Sequence, residues 1–204
     1  MKKIIAALII ISLGSCSPAV NIVKSWQAPG VTMIEKRSNK ILVIGMIKDE
    51  ATRKMVETAL LRKFRGNAIA SYTFLPFDSL KAMTEQKLDG RIKQDQYTYI
   101  VMMRLSKPQT EVSFVPTTTS VTDASADNFG YGSYFGFAAG NYTNPSYFTV
   151  SQNYAVETTV YTVNPNKLIW ACTTETVSAN KLTKKEVNAI ASGVIDEMEN
   201  NDFL

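Results

Sequence analysis

The chain has 204 residues, 45% of them apolar, 20% charged and 10% aromatic, with 22 Lys plus Arg, 18 Asp plus Glu and no His. That is the composition of a folded chain long enough to bury a core unaided, which excludes the disordered and collagen-like classes. Two cysteines are too few for a disulfide scaffold, and zero histidine removes most zinc sites, histidine-based triads and imidazole pH sensing.

The first fifteen residues read as an address. Met1 to Lys3 is a positive n-region, and Ile4 to Ile11 is an unbroken apolar run. The run falls short of the roughly 20 apolar residues of a permanent span and matches a secretory signal. It ends on Leu13-Gly14-Ser15-Cys16, which resembles the lipobox of bacterial lipoprotein signal peptides. The resemblance implies that residues 1–15 are removed and that Cys16 becomes an acylated N-terminus. Its sulfur would carry diacylglycerol, with acyl chains such as palmitate holding the protein to the membrane. Ser17 follows Cys16; an Asp there would resemble the inner-membrane retention signal of enteric-type bacteria. The first acidic residue after Cys16 is Glu35, so the acidic run of surface-exported lipoproteins is missing. The expected location is the outer membrane, lipid-anchored, on its periplasmic face.

Loss of Lys2 and Lys3 with the signal leaves 20 basic against 18 acidic residues, a net charge of +2. So small a charge gives no case for nucleic-acid binding. If Cys16 holds lipid, Cys172 has no partner in the chain, and its strand-like setting, Lys167 to Thr173, reads it as a buried small hydrophobe.

Residues 16–39 read as a lipidated N-terminus and tether, with Pro18, Pro29 and Gly30 and no sustained period. Trp26 either docks on the domain or sits at the lipid headgroups. A single domain is expected over 40–204. Ile41 to Ile47 is a continuous β-branched run, as in a strand buried on both faces. Asp49 offers an N-cap; Met55, Val56, Ala59, Leu60 and Phe64 share a helical face, and Arg65-Gly66-Asn67 stops the helix. Ala68 to Phe74 is a second strand, which makes a βαβ unit with parallel strands. A short helix from Pro76 carries Leu80 and Met83, and Leu88 and Ile92 extend it or start another. Tyr97 to Leu105 is a third strand, and 110–116 a weaker fourth.

Residues 117–147 break the pattern as a long aromatic and glycine-rich loop. Beyond it, Phe148 to Val163 alternates, Asn164 to Lys167 turns, and Leu168 to Val177 returns as an antiparallel hairpin. Thr183-x-x-Glu186 is a capping box before Val187, Ile190, Ala191, Val194, Ile195 and Met198 at helical spacing. The fold class is α/β (α+β): one mixed sheet with a βαβ start, a C-terminal hairpin and a packed C-terminal helix.

The order Ile41 to Gly45, Arg53 to Glu57, Ser71-Tyr72, Tyr99-Ile100-Val101, Tyr161 and Leu168-Ile169-Trp170 resembles small uncharacterised lipoproteins of Gram-negative envelopes. The strand–helix order is also similar to the Tol translocation protein's N-terminal module and the curli-secretion lipoprotein. The resemblance implies an envelope duty and supplies no catalytic residues.

The residues argue against an enzyme. Without histidine a Ser or Cys nucleophile lacks its usual base, and although carboxylate pairs exist in principle, the sequence places none at the separation glycoside hydrolysis needs. Asp89 and Asp95 read as solvated. Gly130-x-Gly132-x-x-x-Gly136 follows a polar coil and matches no phosphate loop. Asp123, Asp127 and Asn128 match no calcium loop, so no metal or cofactor is expected. Lys54, Arg62 and Arg65 lie along one helix face with Thr58, a solvated surface or a place for anionic lipid or an acidic partner. Phe129, Tyr131, Tyr134, Phe135, Phe137 and Tyr142 are the candidate binding residues, for a protein interface, a glycan or a membrane interface. The competing reading is that these aromatics fold back onto the domain's own sheet. The expected function is a lipid-anchored envelope binding or assembly module with an envelope protein as partner. The alternative is a structural subunit of a secretion or pore-type ring.

Overall fold

The computed structural model describes residues 20–34, 36, 38–106, 130–132, 134, 135, 152–178 and 182–204. Along them run β1 (Val20–Gln27), β2 (Lys40–Met46), α1 (Glu50–Leu61), β3 (Asn67–Ala70) and a 3-10 turn (Ser71–Thr73). Then come α2 (Phe77–Ala82), α3 (Glu85–Gln94), β4 (Tyr99–Ser106), β5 (Gln152–Thr162), β6 (Lys167–Ser178) and α4 (Lys184–Asn200). The six strands form one mixed sheet in the order β1-β6-β5-β4-β2-β3. β2 pairs in parallel with both β3 and β4. The pairs β4–β5, β5–β6 and β6–β1 are antiparallel. The single mixed α/β domain, its βαβ start, the hairpin and the final helix are as the sequence predicts.

β2 is apolar on both faces because both faces are covered. Ile41 and Val43 join the core under α1 and α4, while Leu42, Ile44 and Met46 join a second core on the opposite face. α1 starts where the Asp49 carboxylate accepts from the Thr52 N–H at 2.8 Å, and its Val56, Ala59 and Leu60 face the first core. α4 starts on the capping box of Thr183 and Glu186 and buries Val187, Ile190, Ala191, Val194, Ile195 and Met198. The second core takes Leu88 and Ile92 from α3, with Leu75, Tyr131, Tyr134 and Phe135.

Several boundaries differ from the sequence reading or decide between its alternatives. Residues 20–27, expected in a tether, are an edge strand of the sheet, paired with β6 from Val20↔Thr176 to Gln27↔Trp170. Trp26 docks on the domain, packed against the second core. The second strand of the βαβ unit stops at Ala70 and gives way to the 3-10 turn. Leu88 and Ile92 belong to a separate helix, capped by Thr84. The hairpin turn holds a cis Asn164–Pro165 peptide bond. The expected strand at 110–116 lies outside the described residues.

Candidate functional site

Three of the six candidate aromatics are described, and all are interior: Tyr131 and Tyr134 are 0% exposed and Phe135 1%. These three lie against the domain's own sheet, as the competing reading had it. The physical reason is their spacing. Residues 131, 132, 134 and 135 are helical, so Tyr131, Tyr134 and Phe135 at i, i+3 and i+4 share one face, and that face lies on the sheet. Phe129, Phe137, Tyr142, Gly136, Asp123, Asp127, Asn128 and Cys16 lie outside the described residues.

Polar groups fix the segment to three separate elements. The Tyr131 hydroxyl donates to the Asp89 carboxylate of α3, and the Tyr131 N–H donates to Asn166 Oδ1 at 2.9 Å. The Tyr134 hydroxyl donates to Glu157 Oε2 of β5 at 3.1 Å. Both rings meet Tyr161, with centroids 6.4 Å and 6.0 Å away. Burial, then the Asp89 hydrogen bond, raises the Tyr131 phenol. Burial, then the Glu157 charge, raises that of Tyr134 well above its ordinary value. Both stay protonated donors. The glycines permit the close approach: a Cβ on Gly130 would lie 2.6 Å from the Asn166 amide, and one on Gly132 would collide with the Glu85 side chain.

Glu157 belongs to a buried ion pair. It faces Arg104 directly across the β4–β5 ladder, and Arg104 Nε donates to its Oε2 at 2.5 Å. Their side chains are 3% and 1% exposed. A second pair holds α1 to the sheet. Arg53 Nε donates to Glu57 Oε1 at 3.0 Å, both side chains fully buried. Glu57 Oε1 also accepts from the Gly45 N–H at 2.9 Å and Ser71 Oγ at 2.7 Å, and Oε2 accepts from the Tyr72 N–H at 2.9 Å. Arg53 Nη2 donates to Ser71 Oγ at 2.7 Å and the Leu75 carbonyl at 2.8 Å. Both carboxylates are buried and hydrogen-bonded, an arrangement that fixes geometry.

Sequence reasoning missed all four charged residues. Arg53 and Glu57 left a signal: they stand four apart, on the buried stripe with Val56 and Leu60. Arg104 interrupts an apolar strand, and Glu157 sits in an alternating one; their register across 53 positions is not readable locally.

The predicted cationic face is partly assembled. Lys54 and Thr58 of α1 and its C-cap Arg62 line a groove together with Lys184 and Asn188 of α4. Arg65 reaches instead toward Glu199 at 3.5 Å. Asp89 pairs with Lys93, and Asp95 with Arg91, each at 2.8 Å. Cys172 is buried, as expected; burial, and then the Glu197 charge, pushes its thiol up to about 12. Among the described residues no cluster of His, Cys, Asp or Glu could hold a metal, and no helix is long and apolar enough to cross a membrane.

No protein-family model matches the sequence, and no curated protein matches it. Solved structures with a similar chain path include the PelC dodecamer of Paraburkholderia phytofirmans, at 7% identity and TM-score 0.43, covering 91% of this chain and 98% of that one. A point variant of that dodecamer is 8% identical at TM-score 0.43, over 84% of this chain and 96% of its own. Lipoprotein GNA1162 of Neisseria meningitidis is 8% identical at TM-score 0.41, over 79% of this chain and 99% of that one.

Proposed function

We propose that the protein is a non-catalytic, lipid-anchored binding or assembly module of the bacterial envelope, held at the outer membrane through Cys16. The observation that carries this reading is the ordered series of positive n-region, apolar run and Leu13-Gly14-Ser15-Cys16. The placement of the domain supports it. β1 begins four residues after Cys16, so at about 3.5 Å per residue the anchor keeps the sheet within roughly 14 Å of its attachment point. The described polar clusters are closed ion pairs, which suits a scaffold. A ring subunit that buries the aromatic loop between protomers finds no support in Tyr131, Tyr134 and Phe135, because one chain already buries them.

The test is intact mass and membrane fractionation of Cys16→Ala. The expected result is loss of the acyl mass and of firm membrane association, since stable anchoring takes more than one chain or signal. An unchanged membrane fraction, with the acyl mass still present, overturns the reading.

A further inference from the structure

The two ends of the sheet differ in what they carry. Val20, the first residue of β1, pairs with Thr176 close to the end of β6, and β6 leads on to α4. Ser106, at the end of β4, pairs with Ala155, which pairs in turn with Glu175 of β6. β2 runs parallel to β4 and finishes at the same end, where α1 begins. The N-termini of α1 and α4 therefore share the end at which the chain arrives from Cys16.

Lysines stand at that end. Lys48 stands exposed between β2 and α1, and Lys184 is the first residue of α4. From there a groove runs down between the helices, with Lys54 and, at the far C-cap of α1, Arg62 on one wall and Lys184 and Asn188 on the other, over Thr58 and Ala59. A lysine in a first turn opposes the helix dipole, which favours anions there. So α4 forgoes helix stability at this position, as happens where a surface serves binding. The acidic side chains nearby are already engaged. Glu50 contacts Arg53 at 3.4 Å and Lys54 at 3.5 Å, Asp49 caps α1, and Glu186 closes the capping box of α4. In the anchor-proximal half of β1, Ile22 is 37% exposed and Val23 55%.

We propose that the groove between α1 and α4 seats anionic phospholipid headgroups of the membrane that holds Cys16, with Lys54, Arg62 and Lys184 as the cations and Asn188 as a neutral donor. Ile22 and Val23 then meet the headgroup–acyl boundary. The proposal rests on the reading of Cys16 as the anchor. Charge complementarity and tether length favour lipid over an acidic protein: a leash of about 14 Å presents this end to headgroups at a very high effective concentration. A phosphodiester accepts from ammonium, guanidinium and amide donors together. Each cation near such a surface is worth about fivefold in affinity, and the attraction fades with salt.

The full lipidated protein is reconstituted into phosphatidylcholine vesicles with and without a third of phosphatidylglycerol, and lysine acylation is mapped by mass spectrometry. Flotation with either vesicle reports the anchor; protection of Lys54 and Lys184 reports the groove. The expected result is flotation with both, with labelling of those two lysines lower by about threefold or more only on the anionic vesicles, and restored near 0.5 M salt. Arg62→Ala should weaken that protection. Equal labelling on both vesicles overturns the proposal while leaving the anchor standing. So does equal protection by millimolar inorganic phosphate on phosphatidylcholine, which would make the groove a free-anion site. Failure to float with phosphatidylcholine overturns the anchor and the proposal with it.

Discussion

Glu57 carries the joint between α1 and the sheet. Its two oxygens accept from Arg53, Ser71 and the N–H groups of Gly45 and Tyr72, which ties a helix, a central strand and the 3-10 turn to one carboxylate. Removing it leaves the Arg53 guanidinium buried with its main countercharge gone, and takes the carboxylate acceptor from the buried Gly45 N–H and the half-buried Tyr72 N–H. Breaking a buried pair in this way costs about 3–5 kcal/mol. Glu57→Ala is therefore expected to lower the urea midpoint sharply, and a midpoint within error of the parent would show that the network is not structural. Gly45 is part of the same joint. A Cβ there would sit 3.3 Å from both the Arg53 and the Glu57 Cγ atoms, tight against two pinned side chains, so Gly45→Ala should cost about 1–3 kcal/mol.

The segment at 130–135 acts as a buried wedge on the second face of the sheet. Tyr134→Ala should cost about 3–5 kcal/mol by leaving a cavity over Tyr161, whereas Tyr134→Phe, which keeps the ring and removes one donor to Glu157, should cost about 1–2 kcal/mol. Similar small effects of both changes on thermal unfolding would place Tyr134 outside the core. Asp89 adds a pH dependence. Its carboxyl lies below the ordinary 3.8, first through the Lys93 hydrogen bond and then through that of Tyr131. A lowered folded value means stability that is present above 3.8 and lost as pH falls through the folded value. The near-UV tyrosine signal should therefore weaken on acidification below about pH 4, and less so in Asp89→Asn. Helices and strands with a clean period were legible in the sequence: β2 by its unbroken apolar run, α1 and α4 by their caps and stripes, the β5–β6 hairpin by alternation. The aromatic stripe was legible as aromatic, but the choice between a contact surface and the domain's own sheet was not, because Tyr131, Tyr134 and Phe135 have helical spacing for barely one turn. The ion pairs were hidden because burial of Arg104 and Glu157 depends on a ladder formed by distant segments.

At the scale of the whole molecule the question is where the folded domain begins. Pro18, Pro29, Gly30 and the lack of a period suggest a tether, since a single edge strand with one exposed side carries little hydrophobic alternation. The structure nonetheless builds residues 20–33 into the domain. β1 completes the ladder along β6, and Val23 falls at the register shift between Ile22 and Lys24, a bulge of the kind that blunts an edge. Past the strand, the Ala28 N–H donates to the Ile169 carbonyl at 2.9 Å and the Met33 N–H to the Phe203 carbonyl at 2.7 Å. Ser25 Oγ donates to Glu197 at 2.6 Å, and Met33 is 4% exposed in the same core as Trp170 and Phe203. The segment thus clamps the C-terminal end of α4 onto β6. Met33→Ala should cost about 2–4 kcal/mol, a loss that a tether residue would not produce. Deleting residues 20–27 should go further, exposing the whole edge of β6 and giving a chain that aggregates or unfolds at a markedly lower temperature. A deletion variant that melts with the parent would return these residues to the tether and place the start of the domain at β2.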